Sequence, residues 1–259
     1  MITRYRAWMD GRPLDGVDDA VCILDIIENA PMYQLTTAAP ARGEGLQVTR
    51  HSRQSLSVTI ALAIREKDVA RRKEIAGRVN AWAQGAYLSI NDRPGQRLAA
   101  RVTLPLAVTS ALKWTDTLRL TFTAYESPWW EAAFPDSARL AEGKTGIGAL
   151  PLTGDLGDAR VEVHAEAMAA CNHLTLICGR TQLRFEGLNM AGQETLHVRY
   201  KNGVQRITIT GPGGERSALA MRTTDSDDDL LAASGGVTAV SYVADGSMRV
   251  VFSGRGRFA

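Results

Sequence analysis

The stretch Leu56-Ser57-Val58-Thr59-Ile60-Ala61-Leu62-Ala63-Ile64 alternates large apolar residues with small or polar ones without a break. A strand turns successive side chains to opposite faces. Leu56, Val58, Ile60, Leu62 and Ile64 therefore share one face, and Ser57, Thr59, Ala61 and Ala63 the other. The charged turn Arg65-Glu66-Lys67-Asp68 leads into a helix expected over about 68–84. Val69, Ile75, Ala76, Val79, Trp82 and Ala83 fall on one side of it. Asp68 is placed to cap its start, because a carboxylate accepts the free amide hydrogens of a first turn, and Gly85 ends it. Some 17 residues at about 1.5 Å each make a rod of roughly 25 Å. Gly77, within it, costs on the order of 1 kcal/mol against alanine, which predicts a close approach of helix and sheet there.

Outward from this unit the chain reads as strands. Tyr87–Ile90 runs into the turn Asp92-Arg93-Pro94-Gly95. Arg97–Leu104 and Leu118–Tyr125 follow, the second with Leu118, Leu120, Phe122 and Ala124 on one face. Ser127-Pro128-Trp129-Trp130 closes the unit. Upstream, Thr3–Met9 is a strand candidate ending at the tight-turn dipeptide Asp10-Gly11. Val21–Ile27 is rich in β-branched residues and reads as a buried strand. Ala30–Gly45, with two prolines and two glycines, has no period and reads as a long loop.

After Trp130 the composition changes. Ala132 to Gly157 holds seven glycines or prolines and no sustained pattern, which places a linker there. Short strands then recur: Ala159–Ala165, His173–Ile177, Thr181–Glu186, Glu194–Tyr200, Arg206–Thr210, Ala218–Met221, Val237–Val243 and Met248–Ser253. Asn202-Gly203, Gly211-Pro212-Gly213-Gly214 and Asp245-Gly246 supply turns. Strands at this spacing argue for a β-sandwich. The expected protein is mainly β: an N-terminal domain over 1–131 with one helix, a linker over 132–157, and a C-terminal sandwich over 158–259.

Composition narrows the function. The 259 residues are 45% hydrophobic and 22% charged, with a net charge of +2 from 30 basic and 28 acidic residues. That balance does not suit a dedicated nucleic-acid or membrane-surface binder. No apolar run approaches the roughly 20 residues of a membrane-spanning helix, and Met1–Arg6 is not followed by a signal-type apolar core. Synthesis and retention in a cytoplasm are expected. Cys22, Cys171 and Cys178 cannot all pair within one chain and read as reduced, buried hydrophobes.

Chemical motifs are incomplete. His164-Ala165-Glu166 with Cys171 and Cys178 invites a zinc reading, but the cysteine spacing fails the ligand geometry. Gly143-Lys144-Thr145 resembles the end of a phosphate loop whose first glycine is replaced by Ala138. Asp225-Ser226-Asp227-Asp228-Asp229 offers oxygen ligands for calcium without the spacing of a calcium loop, and reads as a solvated acidic loop that caps a strand or a short helical turn before Leu230-Leu231. Arg71/Arg72/Lys73 read as a solvated helix face among Glu66, Asp68 and Glu74. No catalytic set, metal site or cofactor is expected. Trp129 and Trp130 are the candidate partner or interdomain surface, with packing in a core as the plainer alternative.

The order of these elements resembles the distal tail protein (Dit) family of long-tailed bacteriophages. The resemblance runs through Val21–Ile27, Gly43-Glu44-Gly45, Arg53–Ile64, Val79-Asn80-Ala81-Trp82, Leu88–Gly95, Leu118-Arg119-Leu120-Thr121-Phe122 and Pro128-Trp129-Trp130. It continues in Gly235-Gly236-Val237-Thr238-Ala239-Val240 and Arg249–Phe252. It implies an N-terminal ring-forming domain and a C-terminal galectin-like β-sandwich. It also implies a non-enzymatic homo-hexameric hub in the virion, around a channel through which DNA leaves. The implied partners are the tail tube protein, a tail-tip or baseplate protein and a receptor-binding protein, with no sequence-specific nucleic-acid binding and no membrane insertion. The competing reading is a carbohydrate-binding module that grips a bacterial surface glycan, using Trp129, Trp130 or Tyr242 as platforms.

Overall fold

The structure is a computed structural model and describes residues 5–38, 47–109, 113–201 and 204–259, without the side chains of 38 and 47–52. The Gly43-Glu44-Gly45 motif, the Asn202-Gly203 turn and the first residues of the Thr3–Met9 strand lie outside the described residues. The chain is mainly β and divides into two compact units, Met1–Trp130 and Glu131–Ala259.

Unit 1 contains β1 (Ala7–Met9), β2 (Arg12–Pro13), β3 (Val21–Glu28), β4 (Met32–Ala38), β5 (Gln47–Ile64), α1 (Val69–Trp82), β6 (Tyr87–Ile90), β7 (Gln96–Ala99), β8 (Arg101–Leu104) and β9 (Leu118–Ala124). The opening stretch is the second half of β5, an 18-residue strand. Both of its backbone edges are paired, Val21–Glu28 on one side and Leu118–Ala124 on the other, giving the order β3-β5-β9-β8. Leu56, Val58, Ile60, Leu62 and Ile64 are all buried, and so are Ala61 and Ala63 on the opposite face. A second ladder runs β2-β1-β6-β7. Its first turn is Asp10-Gly11, both residues at positive φ, the backbone a two-residue hairpin needs. The Asp10 carboxylate also accepts the amide hydrogens of Ala86 and Tyr87 at 3.0 Å each, which joins that turn to the end of the helix.

Three expectations in this unit change. Within the segment 30–45 read as a loop, Met32–Ala38 is β4, which pairs along the first half of β5 from Met32↔Ser55 to Ala38↔Gln47, and residues 39–45 lie outside the described residues. Its backbone is satisfied by a partner strand while the side chains of Met32–Thr37 stay outside the core, so no burial pattern marks it in the sequence. Arg97–Leu104 is two strands. It breaks at the buried Ala100, with β7 pairing β6 and β8 pairing β9.

The third change concerns α1. Asp68 caps it by accepting from the Ala70 and Arg71 amides, and its buried stripe includes Ile75, Ala76, Val79 and Trp82. Trp82 packs edge-on to Phe122, ring centroids 6.1 Å apart, and donates from Nε1 to the Arg12 carbonyl at 2.8 Å. Gly77, however, is exposed, and a Cβ there would meet nothing within 4 Å. Arg72 is not on the solvated face. It sits one turn before Ile75 on the buried stripe at 5% exposure, where its aliphatic stem packs as a hydrophobe.

The boundary between the units falls within β10 (Trp130–Ala132), and the strands of unit 2 follow. They are β11 (Asp136–Arg139), β12 (Gly143–Leu152), β13 (Asp158–Ala167), β14 (Cys171–Cys178), β15 (Thr181–Met190), β16 (Thr195–Lys201), β17 (Val204–Gly211), β18 (Gly214–Ser217), β19 (Leu231–Ala233), β20 (Gly236–Gly254) and β21 (Arg257–Phe258). The expected linker 132–157 is thus largely strand, and β11 and β12 both pair with β20. Gly146 and Gly148 explain the missing pattern. A Cβ at either would stand under 2.5 Å from Tyr242 or Leu140, so the sequence there reads as flexible where the packing is tight. Gly143-Lys144-Thr145 opens β12.

The expected hairpin at Asp245-Gly246 is absent: β20 runs unbroken for 19 residues. Its first half pairs with β12 and β14, and its second with β11 and β13. Gly246 lies between the two halves, where a Cβ would stand 2.2 Å from the Ala170 carbonyl oxygen. The glycine permits close passage of two backbones rather than a reversal. The sheet continues through β16, β17 and β18 and curls about one core that includes Leu150, Val163, Leu176, Phe185, Leu196, Tyr242 and Phe252. Ala218–Met221, expected as a strand, is a short 3-10 turn over Leu219–Met221.

The exposed glycine yields a direct expectation. Gly77→Ala raises unfolding free energy by about 0.5–1 kcal/mol, because alanine loses less backbone entropy and meets no neighbour. A urea titration of both proteins measures it, and a destabilised variant contradicts the open surroundings of Gly77.

Candidate functional site

The two tryptophans that close unit 1 carry different loads. Trp130 is fully buried. Its Nε1 donates to Glu28 Oε2 at 2.9 Å, and the same carboxylate takes the Arg93 guanidinium through Nε and Nη2 at 3.2 and 3.0 Å. Arg93 also stands over the Trp130 ring, 5.7 Å from its centroid. Glu28 ends β3 and Arg93 sits in the β6–β7 turn, so one carboxylate ties two ladders and the tryptophan together. Trp129 is half-buried and lies under Arg53, 5.0 Å from its centroid. Burial of Arg53, and the positive Arg93 nearby, lower its pKa against a raising contribution from Tyr33.

This geometry removes Trp130 as an exposed stacking platform. Tyr242 is removed as well: it is fully buried, and its hydroxyl lies 2.8–3.0 Å from the carbonyls of Ala141, Gly143 and Met248. A phenol has one hydrogen to donate, so the three carbonyls share it.

The polar motifs of unit 2 are committed to structure. Asp227 accepts the Gln182 amide at 2.7 Å, Ser226 accepts the Arg184 amide at 2.8 Å, and the Thr223 amide donates to the Arg184 carbonyl at 2.9 Å. The acidic loop thus covers the free edge of β15, as a paired edge strand would. Asp229 is paired with Arg160 and Asp225 with Arg184. Hydrogen bonding from Thr223 and the charge of Arg184 hold Asp225 below its ordinary pKa. Cys171, Cys178 and Cys22 are free thiols. Burial raises Cys171 to about 11 and Cys178 to about 12, so neither is a thiolate at neutral pH. Among the described residues no group of three His, Cys, Asp or Glu side chains could hold a metal, and no helix is long and apolar enough to cross a membrane.

His164 faces His197 rather than a cysteine. The two are register partners on β13 and β16, with ring centroids 4.7 Å apart. His197 is 5% exposed. Its Nδ1 is 2.9 Å from Arg199 Nη2 and its Nε2 is 2.8 Å from Thr210 Oγ1. Arginine only donates, so Nδ1 accepts and Nε2 carries the proton. Burial, Arg199 and His164 lower His197 to about 4, against a raising contribution from Glu215. Burial and Arg199 lower His164, against Glu166.

With the fold in hand, the chain compares with solved structures of phage tail components. No family model matches it, and no curated protein matches it. It shares its fold with the crystal structure of the SPP1 Dit protein (gp 19.1), described as a paradigm of the hub adsorption apparatus in phages infecting Gram-positive bacteria. The TM-score is 0.67 at 10% identity, over 98% of this chain and 99% of that one. The phage P2 baseplate in its activated conformation with Ca gives a chain at TM-score 0.52 and 7% identity, over 99% and 98%. The Sr form gives 0.51 at 6% identity, over 97% of each chain.

Two measurements test these assignments. Trp130→Phe keeps the ring and loses the bond to Glu28, so stability falls by about 1.5–3 kcal/mol, the usual worth of a hydrogen bond to a charged group; equilibrium denaturation reads it. His197 has a folded pKa below its unfolded value. The stability linked to it is therefore present above about pH 6.5 and is lost as pH falls towards 4, by roughly 2–3 kcal/mol. In His197→Gln, which retains a donor for Thr210, the loss between pH 7 and 4 is smaller by that amount. Parallel curves for the two proteins would sink the assignment.

Proposed function

We propose that this chain is the distal tail hub of a long-tailed phage. In this reading it is a structural protein of the virion, made in the host cytoplasm and without catalytic activity. It assembles as a homo-hexameric ring that joins the tail tube to the baseplate or tail tip, around the channel for DNA, and meets a receptor-binding protein at its periphery. The observation that carries the reading is that one fold covers both units: the SPP1 hub protein aligns over 98% of this chain and 99% of its own. A carbohydrate-binding module alone would account for one unit only.

Unit 1 is the ring-forming part in this proposal and unit 2 the galectin-like one. The β4–β5 ribbon supports that division. On β4, Met32, Tyr33 and Leu35 are 68%, 52% and 58% exposed, side chains from both faces of the strand. Apolar groups on both faces of a ribbon gain most when a neighbour covers them. Identical chains meeting head to tail close into rings. A near-neutral chain also suits a DNA conduit, since dense positive charge would bind the cargo.

Native mass spectrometry of the full chain tests the proposal. The expected species is a closed ring of about six copies, and Met32→Asp with Leu35→Asp shifts it to single chains without unfolding them. A wild-type chain that stays monomeric at every concentration overturns the reading.

A further inference from the structure

Unit 2 has an open groove of about 400 Å³ on the outer face of β14, β15 and β20. That volume lies within the roughly 300–1,000 Å³ of small-ligand pockets. Strand register builds it. Thr175 pairs with Arg184 on one side and Val243 on the other, so these three residues form a row across neighbouring strands. At about 4.8 Å between strands the row is about 10 Å wide, the span of a sugar ring with its substituents. Gln182 lies two residues from Arg184 on the same face of β15. Asp225 and Asp245 bound the groove together with His173.

The charged groups of this groove have protein partners. Arg184 is held between Glu186 at 2.9 Å and Asp225 at 3.5 Å. Asp245 accepts the amide hydrogens of Asn172 and His173 at 2.9 and 3.1 Å. By contrast, the Thr175 hydroxyl and the Gln182 side-chain amide make no hydrogen bond among the described residues. Val243 is 53% exposed and offers methyl groups beside them. One arginine faces two aspartates, so the site has no excess positive charge for an anion. Its carboxylates already have protein partners, which leaves no cage for a cation. Groups that both donate and accept, set beside an apolar patch, match vicinal hydroxyls beside a C–H face.

We infer that this groove binds a neutral saccharide unit. Thr175 and Gln182 bridge adjacent hydroxyls, Arg184 and Asp225 hold a third position, and Val243 packs against the ring. The site is independent of the ring proposed above, because every residue of it lies in unit 2, and of the aromatic platforms that the fold buries. It is spread over three strands and one loop, and nothing in the sequence marks it as a unit.

Saturation-transfer NMR on the full chain tests it, with glucose, galactose, N-acetylglucosamine and rhamnose as probes at millimolar concentration. Glucuronate and inorganic phosphate are the charged counterparts. The expected result is transfer to at least one neutral sugar, weakened about tenfold in affinity by Arg184→Ala and abolished by Val243→Lys. Val243 is solvent-facing, so its variant keeps the wild-type melting temperature and, if the chain forms a ring, the ring mass. No transfer to any neutral sugar, transfer to the anions alone, or transfer undiminished in a folded Val243→Lys protein each overturns the proposal.

Discussion

The hydrogen-bonded ladder along two long strands is the constraint on which each unit depends. In unit 1, the second half of β5 is paired on both edges, with Leu56, Val58, Ile60, Leu62 and Ile64 buried on one face and Ser57 and Thr59 only partly buried on the other. Any shift of one residue would carry Val58 and Ile60 out of the core and bring Ser57 and Thr59 in. Register is therefore set by the strict alternation. The positions of β3, β9 and, through β9, β8 follow from it. In unit 2, β20 has the same role by a different device. It belongs to two sets of neighbours in succession, and Gly246 lets it pass the Ala170 backbone between them. The curl of the sheet about one core follows from that single shared strand.

The sequence shows this architecture where packing and local chemistry agree. Leu56–Ile64, Asp68 as a cap and Asp10-Gly11 as a turn each have one strong local explanation, and each takes that form. It misleads where one residue type serves two ends. Asp245-Gly246 has the chemistry of a hairpin turn, yet the aspartate is occupied by the amides of Asn172 and His173, and the glycine by close passage. Gly146 and Gly148 read as linker glycines because a glycine required by a neighbouring side chain, Tyr242 or Leu140, looks the same as one required by flexibility. Met32–Thr37 gives no burial period because its side chains on both faces are exposed. Gly77 is the reverse case: a helix glycine read as a packing contact stands in open solvent.

The candidate site was less visible than the fold for a physical reason. Aromatic pairs in a sequence announce burial or contact, not which of the two. Trp130 resolves to burial because an indole N–H inside a protein needs an acceptor, and Glu28, 102 residues away, supplies it. No spacing rule links those positions. The saccharide groove has the same character: Thr175, Arg184 and Val243 become neighbours only through strand register.

What remains available to partners can be argued from what is already satisfied. Cys171 and Cys178 are buried and protonated, the buried His197 is neutral, and the acidic loop covers an edge of β15. The two thiols and the imidazole of His197 point inward, so they are not the groups that a partner meets. Two outward-facing features among the described residues bear on partners. One is the apolar ribbon of β4, whose exposed side chains gain by being covered. The other is a groove whose paired charges flank two side chains with unused hydrogen-bonding capacity. The first favours a protein surface large enough to cover both faces of a ribbon, and the second favours a small polar molecule.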